Sequence, residues 1–147
     1  MKYVCATEVP LNRADCIQLW FDEMQYAEWQ EGFRHKKWIS GEPNEVGSKS
    51  NILIIQGKQK IELEEEILEN NLPDFLKGNY VHKHMINTQK VIFTELASGK
   101  TQITTEVEYT KFIGILPKIM AFLFSSMFKK QSQKWLDEFK MLAEKNK

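Results

Sequence analysis

The stretch TQITTEVEYTKF (Thr101–Phe112), followed two residues later by ILPKIMAFLFSSMFKKQSQKWLDEFKMLAEK (Ile115–Lys145), decides how this chain folds. In the first part, Ile103, Thr105, Val107 and Tyr109 alternate with Gln102, Thr104, Glu106 and Glu108, the period of two that marks a half-buried strand. The second part has no glycine and reads as one long helix. Its first half holds Ile119, Met120, Phe122, Leu123, Phe124, Met127 and Phe128, apolar on nearly all sides, which is the pattern of a helix buried all round. Its second half narrows to the stripe Trp135, Leu136, Phe139 and Leu142. About 30 helical residues span roughly 45 Å, well beyond a typical strand, so a sheet covered by this helix must curl around it. A strongly curved sheet does not close tightly on one helix everywhere, and a cavity remains where it fails to close.

Working back toward the N-terminus, the chain supplies that sheet. Ser98-Gly99 signals a hairpin into Thr101–Phe112. Strands are expected at Lys90–Leu96 and Phe75–Met85, separated by Asn87-Thr88, and at Lys60–Glu69, Ser50–Gln56 and Phe33–Ile39. Gly57-Lys58, the run Ser40–Gly47 and Asn70–Asp74 provide the turns. Before these, Lys2–Val9 reads as a first strand ended by Pro10. Asn12 caps a helix carrying Ile17, Trp20, Phe21 and Met24 at helical spacing, and a second short turn of helix follows around Tyr26–Trp29.

Composition narrows the class. The chain has 147 residues, 42% hydrophobic and 27% charged, enough for a substantial core and unlike a disordered segment. Lys+Arg and Asp+Glu both number 20, so no global field draws nucleic acid, and no basic-aromatic pattern supports it either. Phe112–Phe128, the most apolar run, is interrupted by Pro117 and Lys118 and is too short for a membrane span, so no stable membrane insertion is expected. Cys5 and Cys16 lack metal-type spacing, and no signal-peptide pattern precedes them, so a reduced, cytoplasmic protein is expected. The absence of repeats and linkers predicts one domain over residues 1–147.

Several of these residues together resemble the START-like superfamily, also called SRPBCC, which includes birch-pollen-allergen-type and polyketide cyclase/dehydrase-like proteins. The resemblance covers essentially the whole chain. It rests on Val9-Pro10 opening into the helix with Trp20, on Trp29 within Tyr26–Trp29, and on the turn Gly41-Glu42-Pro43 with Gly47. The hairpin Ser98-Gly99-Lys100-Thr101 and the terminal helix complete it. The resemblance implies an α+β helix-grip fold: a curved antiparallel sheet of about seven strands around a long C-terminal helix, with two short helices after the first strand. It also implies a hydrophobic cavity between sheet and helix. None of these residues is a catalytic motif, and folds of this kind host many activities.

Candidate chemistry is sparse. Glu65 shares strand parity with Ile61, Leu63 and Ile67, so a carboxylate enters the apolar face and is placed to act as a general acid; Glu95, in register with Val91 and Phe93, is a second such group. His82 and His84, two apart, point to one face as a proton relay or as two metal ligands, but no Asp, Glu or Cys completes a metal set. His35, between Arg34 and Lys36, reads as exposed. Tyr109 offers a phenol to a ligand. Ser125 and Ser126 have no partner histidine, and no phosphate loop is present. The expected function is binding or transport of a lipid-like or polycyclic hydrophobic molecule, without a cofactor, lined by Trp29, Phe33, Leu63, Tyr80, Phe93, Val107, Tyr109, Met120, Phe124 and Phe128. The alternative is a polyketide cyclase/dehydratase-like enzyme using Glu65, His82 or Tyr109.

Overall fold

The computed structural model describes residues 1–147, apart from the side chains of Leu123 and Phe124. In chain order, β1 (Lys2–Val9) leads through α1 (Arg13–Trp20), a 3-10 turn (Glu23–Gln25) and α2 (Tyr26–Trp29) to β2 (Phe33–Ser40). Then follow β3 (Lys49–Gln56), β4 (Gln59–Asn71), β5 (Phe75–His82), β6 (Met85–Glu95), β7 (Thr101–Phe112) and α3 (Ile115–Lys145). The strands form one antiparallel sheet in the order β1-β7-β6-β5-β4-β3-β2, so β1 closes beside β7 and the rest is a meander. This is the helix-grip arrangement that the sequence implies.

Local chemistry explains most element ends. The Asn12 side chain accepts a hydrogen bond from the Asp15 N–H at 2.8 Å, satisfying one orphan donor at the start of α1. The Asp22 side chain does the same for Met24 N–H before the 3-10 turn. At Gly32, φ is +87°, and a Cβ there would run into the Ile55 carbonyl oxygen, so only glycine lets β2 start against β3. Register shifts in β2 (Phe33/His35 and Trp38/Ser40), β4 (Ile67/Glu69) and β7 (Thr110, opposite Ile86/Asn87) mark bulges. Bulges bend strands, and these curl the sheet around the helix.

Two expectations need correction. The β5–β6 reversal is at Lys83-His84, with His82 paired to Met85, not at Asn87-Thr88. Asn87 and Thr88 lie inside β6, where each has a ladder partner on both sides, Tyr80 and Tyr109 for one and Asn79 and Glu108 for the other. That pairing outweighs the turn preference of Asn.

The second correction concerns the first half of α3, which is not buried all round. Ala121 is buried, but Ile115 is 78% exposed, Leu116 69% and Phe122 86%. The second half is the true core helix. Leu136, Phe139 and Ala143 are fully enclosed, and the Phe139 ring meets Trp20 and Trp29 at 5.0 and 5.2 Å. Trp20 in turn packs edge-on against Phe93. Along its middle α3 is tied to β1, through Tyr3 Oη to Ser132 Oγ at 2.8 Å and Gln133 Nε2 donating to the Ala6 carbonyl at 3.1 Å. Toward its N-terminus the helix lies over the opening of the curled sheet, and its outer face meets solvent.

Candidate functional site: a cavity between sheet and helix

The inner face of the sheet, α3 and the α1–α2 segment enclose a cavity of about 1140 Å³. That is enough for a drug-sized molecule. Trp29, Phe33, Leu63, Val107, Met120 and Phe128 all line it. Phe93 does not: it is fully enclosed beneath the cavity, between Trp20 and Phe21. The Phe124 side chain lies outside the described residues. Residues that line the cavity while reaching solvent mark its rim, among them His84 from the β5–β6 turn, Gln59 from the β3–β4 hairpin, Ile113, Ile115 and Leu116, and Met120 and Met127 further along α3.

Strand register lays a polar row across this apolar floor. Ser50 pairs with Glu65, Glu65 with Tyr80, Tyr80 with Asn87, and Asn87 with Tyr109. Directly paired residues stand on the same face within side-chain reach. At the β3–β5 end the row is fully knitted together. Tyr80 donates to Glu65 Oε2 at 2.6 Å, Ser50 donates to Oε1 at 3.1 Å, and Lys36 Nζ sits 2.8 Å from Oε1. The Lys36 and Glu65 side chains are only 5% and 6% exposed, so this is a buried ion pair. Lys36 also lies 4.4 Å over the Trp38 ring and 5.8 Å from the Tyr26 ring, both cation–π contacts. Gly78 makes room for Tyr80, whose hydroxyl lies 3.1 Å from where a Cβ at position 78 would stand.

The electrostatic consequences are directional. Burial, then the adjacent Glu65 charge, pushes the Tyr80 phenol well above its usual value, and the same two causes raise Tyr26. At the other end of the row, Tyr109 is raised by burial and then by Tyr3. Its ring stacks on Phe112 at 5.6 Å and tilts against Phe128 at 5.1 Å.

A second set of polar atoms also borders the cavity. Trp29 Nε1, Trp135 Nε1, Gln131 Nε2 and Thr105 Oγ1 are buried without a hydrogen-bond partner among the described residues, and all four side chains line the cavity. Buried polar groups without partners are costly, so whatever fills the cavity, water or a ligand, meets these four atoms.

The sequence candidates thus fall into three places. Glu65, Tyr80 and Tyr109 share the floor. His82 lines the cavity at its rim, where its Nδ1 accepts from the His84 N–H at 3.2 Å, and burial, then His84 and Lys83, lowers its proton affinity. His84 occupies the turn and not the strand, because the reversal comes earlier than expected. Glu95 is exposed and pairs with Arg13 at 4.0 Å, away from the cavity. Lys36, Gln131 and Trp135 were not anticipated. Lys36 escapes a parity reading because the Phe33/His35 bulge reverses which residues of β2 face inward.

No family model and no curated protein matches the chain. Solved structures do. The Zhui aromatase/cyclase from Streptomyces sp. R1128 superposes with a TM-score of 0.80 at 8% identity, over 98% of this chain and 93% of that one. Ara h 8.0201 gives 0.74 at 11% identity, over 97% of both chains. TTHA0849 from Thermus thermophilus gives 0.74 at 11% identity, also over 97% of both. The chain therefore shares the fold of these three proteins, the helix-grip arrangement of a curved sheet around a long C-terminal helix.

Proposed function

We propose that this protein binds a hydrophobic small molecule, lipid-like or polycyclic and carrying a few oxygen acceptors, in the cavity between sheet and α3. The observation that carries this reading is the pairing of apolar walls with the unpartnered donors of Trp29, Trp135, Gln131 and Thr105. Apolar surface supplies affinity, and a few placed donors fix orientation. Native mass spectrometry of gently purified protein tests it. A retained small molecule, or saturable one-site uptake of an apolar fluorescent probe that Trp135→Phe weakens, supports binding. A cavity that takes up no apolar probe at all rejects it.

A second reading, a cyclase or dehydratase-like enzyme, is favoured by one specific feature: Tyr80 and Lys36 both reach the enclosed Glu65 carboxylate. Glu65 would accept a proton from carbon beside a carbonyl while Lys36, whose ammonium has donors beyond the one that meets Glu65, hydrogen-bonds the carbonyl oxygen, the acid–base pairing that cyclisation needs. The name of the Zhui aromatase/cyclase makes ring closure and aromatisation the reactions to try first. Turnover that Glu65→Gln lowers by about 10²–10⁴-fold, with probe uptake retained, would support the enzyme. Uptake without turnover would leave the carrier reading in place.

A further inference from the structure

The mouth of the cavity carries exposed apolar side chains and several lysines. Antiparallel connectivity brings the β3–β4 turn, the β5–β6 turn and the start of α3 to one end of the sheet, and Ile113 N–H donates to the His84 carbonyl at 2.8 Å, joining the last two. At this end Ile113, Ile115, Leu116, Ile119 and Phe122 are large apolar side chains left open to solvent. Isolated exposed apolar residues are ordinary, but a contiguous group on one helical segment marks an interaction surface.

Charge identifies what this surface meets. The chain as a whole has a formal net charge of +0. Yet the three segments at the mouth, 56–60, 82–86 and 111–122, contain Lys58, Lys60, Lys83, Lys111 and Lys118 and no Asp or Glu. Glu62, the acid next to these segments in sequence, is engaged by Lys60 at 3.2 Å, and among the described residues Lys58, Lys83, Lys111 and Lys118 have no carboxylate within salt-bridge distance. The asymmetry continues along α3, where Lys129, Lys130 and Lys134 precede its first acid, Asp137, and among the described residues only Lys134 of these is paired, to Glu31.

From this we infer that the cavity mouth docks on an anionic lipid surface. Apolar side chains flanked by lysines are the composition of a segment lying in the plane of a membrane interface. A second copy fits less well, because a two-fold contact through this end would set lysine against lysine. Ile115 and Leu116 belong to both the exposed surface and the cavity rim, so docking opens the cavity toward the lipid and lets an apolar molecule pass without crossing water. The inference stands on the surface alone and does not depend on which molecule the cavity takes.

Sedimentation of the full chain with phosphatidylcholine vesicles, with and without phosphatidylglycerol, tests it. Binding is expected only to the anionic vesicles and should weaken as salt is raised. Phe122→Glu and Lys118→Glu, at exposed positions that do not line the cavity, should each lower partitioning by about tenfold or more. Uptake of Nile red in solution should be unchanged, which separates a docking defect from a damaged cavity. No binding to anionic vesicles, or binding indifferent to both substitutions, overturns the inference. So does a concentration-dependent dimer that Phe122→Glu abolishes, which would assign the surface to a second copy.

Discussion

The Lys36–Glu65 pair shows what a single residue can hide. Strand parity alone makes Glu65 legible as an inward carboxylate, since Ile61, Leu63 and Ile67 share its face. Read without a partner, its replacement by Gln should leave stability unchanged. The partner reverses that expectation. Glu65→Gln leaves the Lys36 ammonium buried without a counter-charge, and Lys36→Met leaves the carboxylate in the same position. Each single change should destabilise the fold by about 3–5 kcal/mol, whereas the double change Lys36→Met/Glu65→Gln should cost far less than their sum, because it removes both buried charges and keeps an acceptor for Tyr80 and Ser50. A double-mutant cycle by urea denaturation measures the coupling. Additive single effects would mean that the two groups do not rely on each other. Lys36 was illegible in the sequence because a bulge, which no local composition announces, flips its side of the strand.

Among elements, α3 carries the clearest division of labour. Both halves are rich in Phe, Leu and Met, so hydrophobicity alone makes the first half look more deeply buried than the second. The structure has the reverse order, because burial depends on what faces a helix as well as on its own side chains. Phe139 is fully enclosed by Trp20 and Trp29, and Phe139→Ala should cost about 3–5 kcal/mol. Phe122 is largely open to solvent, and Phe122→Ala should stay within about 0.5 kcal/mol of the parent. Thermal or urea unfolding of the two variants side by side checks the division. A chain ending at Phe112 loses the helix that covers the aromatic core and should be insoluble or molten. Most element boundaries were legible, since glycine turns and period-two alternation mark them locally. The β5–β6 turn was not, because Asn87-Thr88 is turn-prone in isolation and acquires strand partners only from β5 and β7.

On the scale of the whole molecule, the tyrosines report on the cavity. The chain has four, Tyr3, Tyr26, Tyr80 and Tyr109, and all of them line it. Burial is the first cause raising every one of these phenols above the usual value near 10. For an acid whose proton affinity is raised by folding, the native state holds its proton where the unfolded chain has released it. The stabilisation is therefore complete below about pH 10 and drains away as pH climbs toward the folded values. Native protein should accordingly show little tyrosinate absorbance in the range where free tyrosine ionises. The signal should then rise steeply at higher pH, in step with loss of circular dichroism. A molecule seated in the cavity binds the native state alone and removes more water from the phenols, so it should move that joint transition to still higher pH. Smooth ionisation near pH 10 with the circular dichroism intact would mean that the phenols meet bulk water, and the floor of the cavity would then be open rather than enclosed.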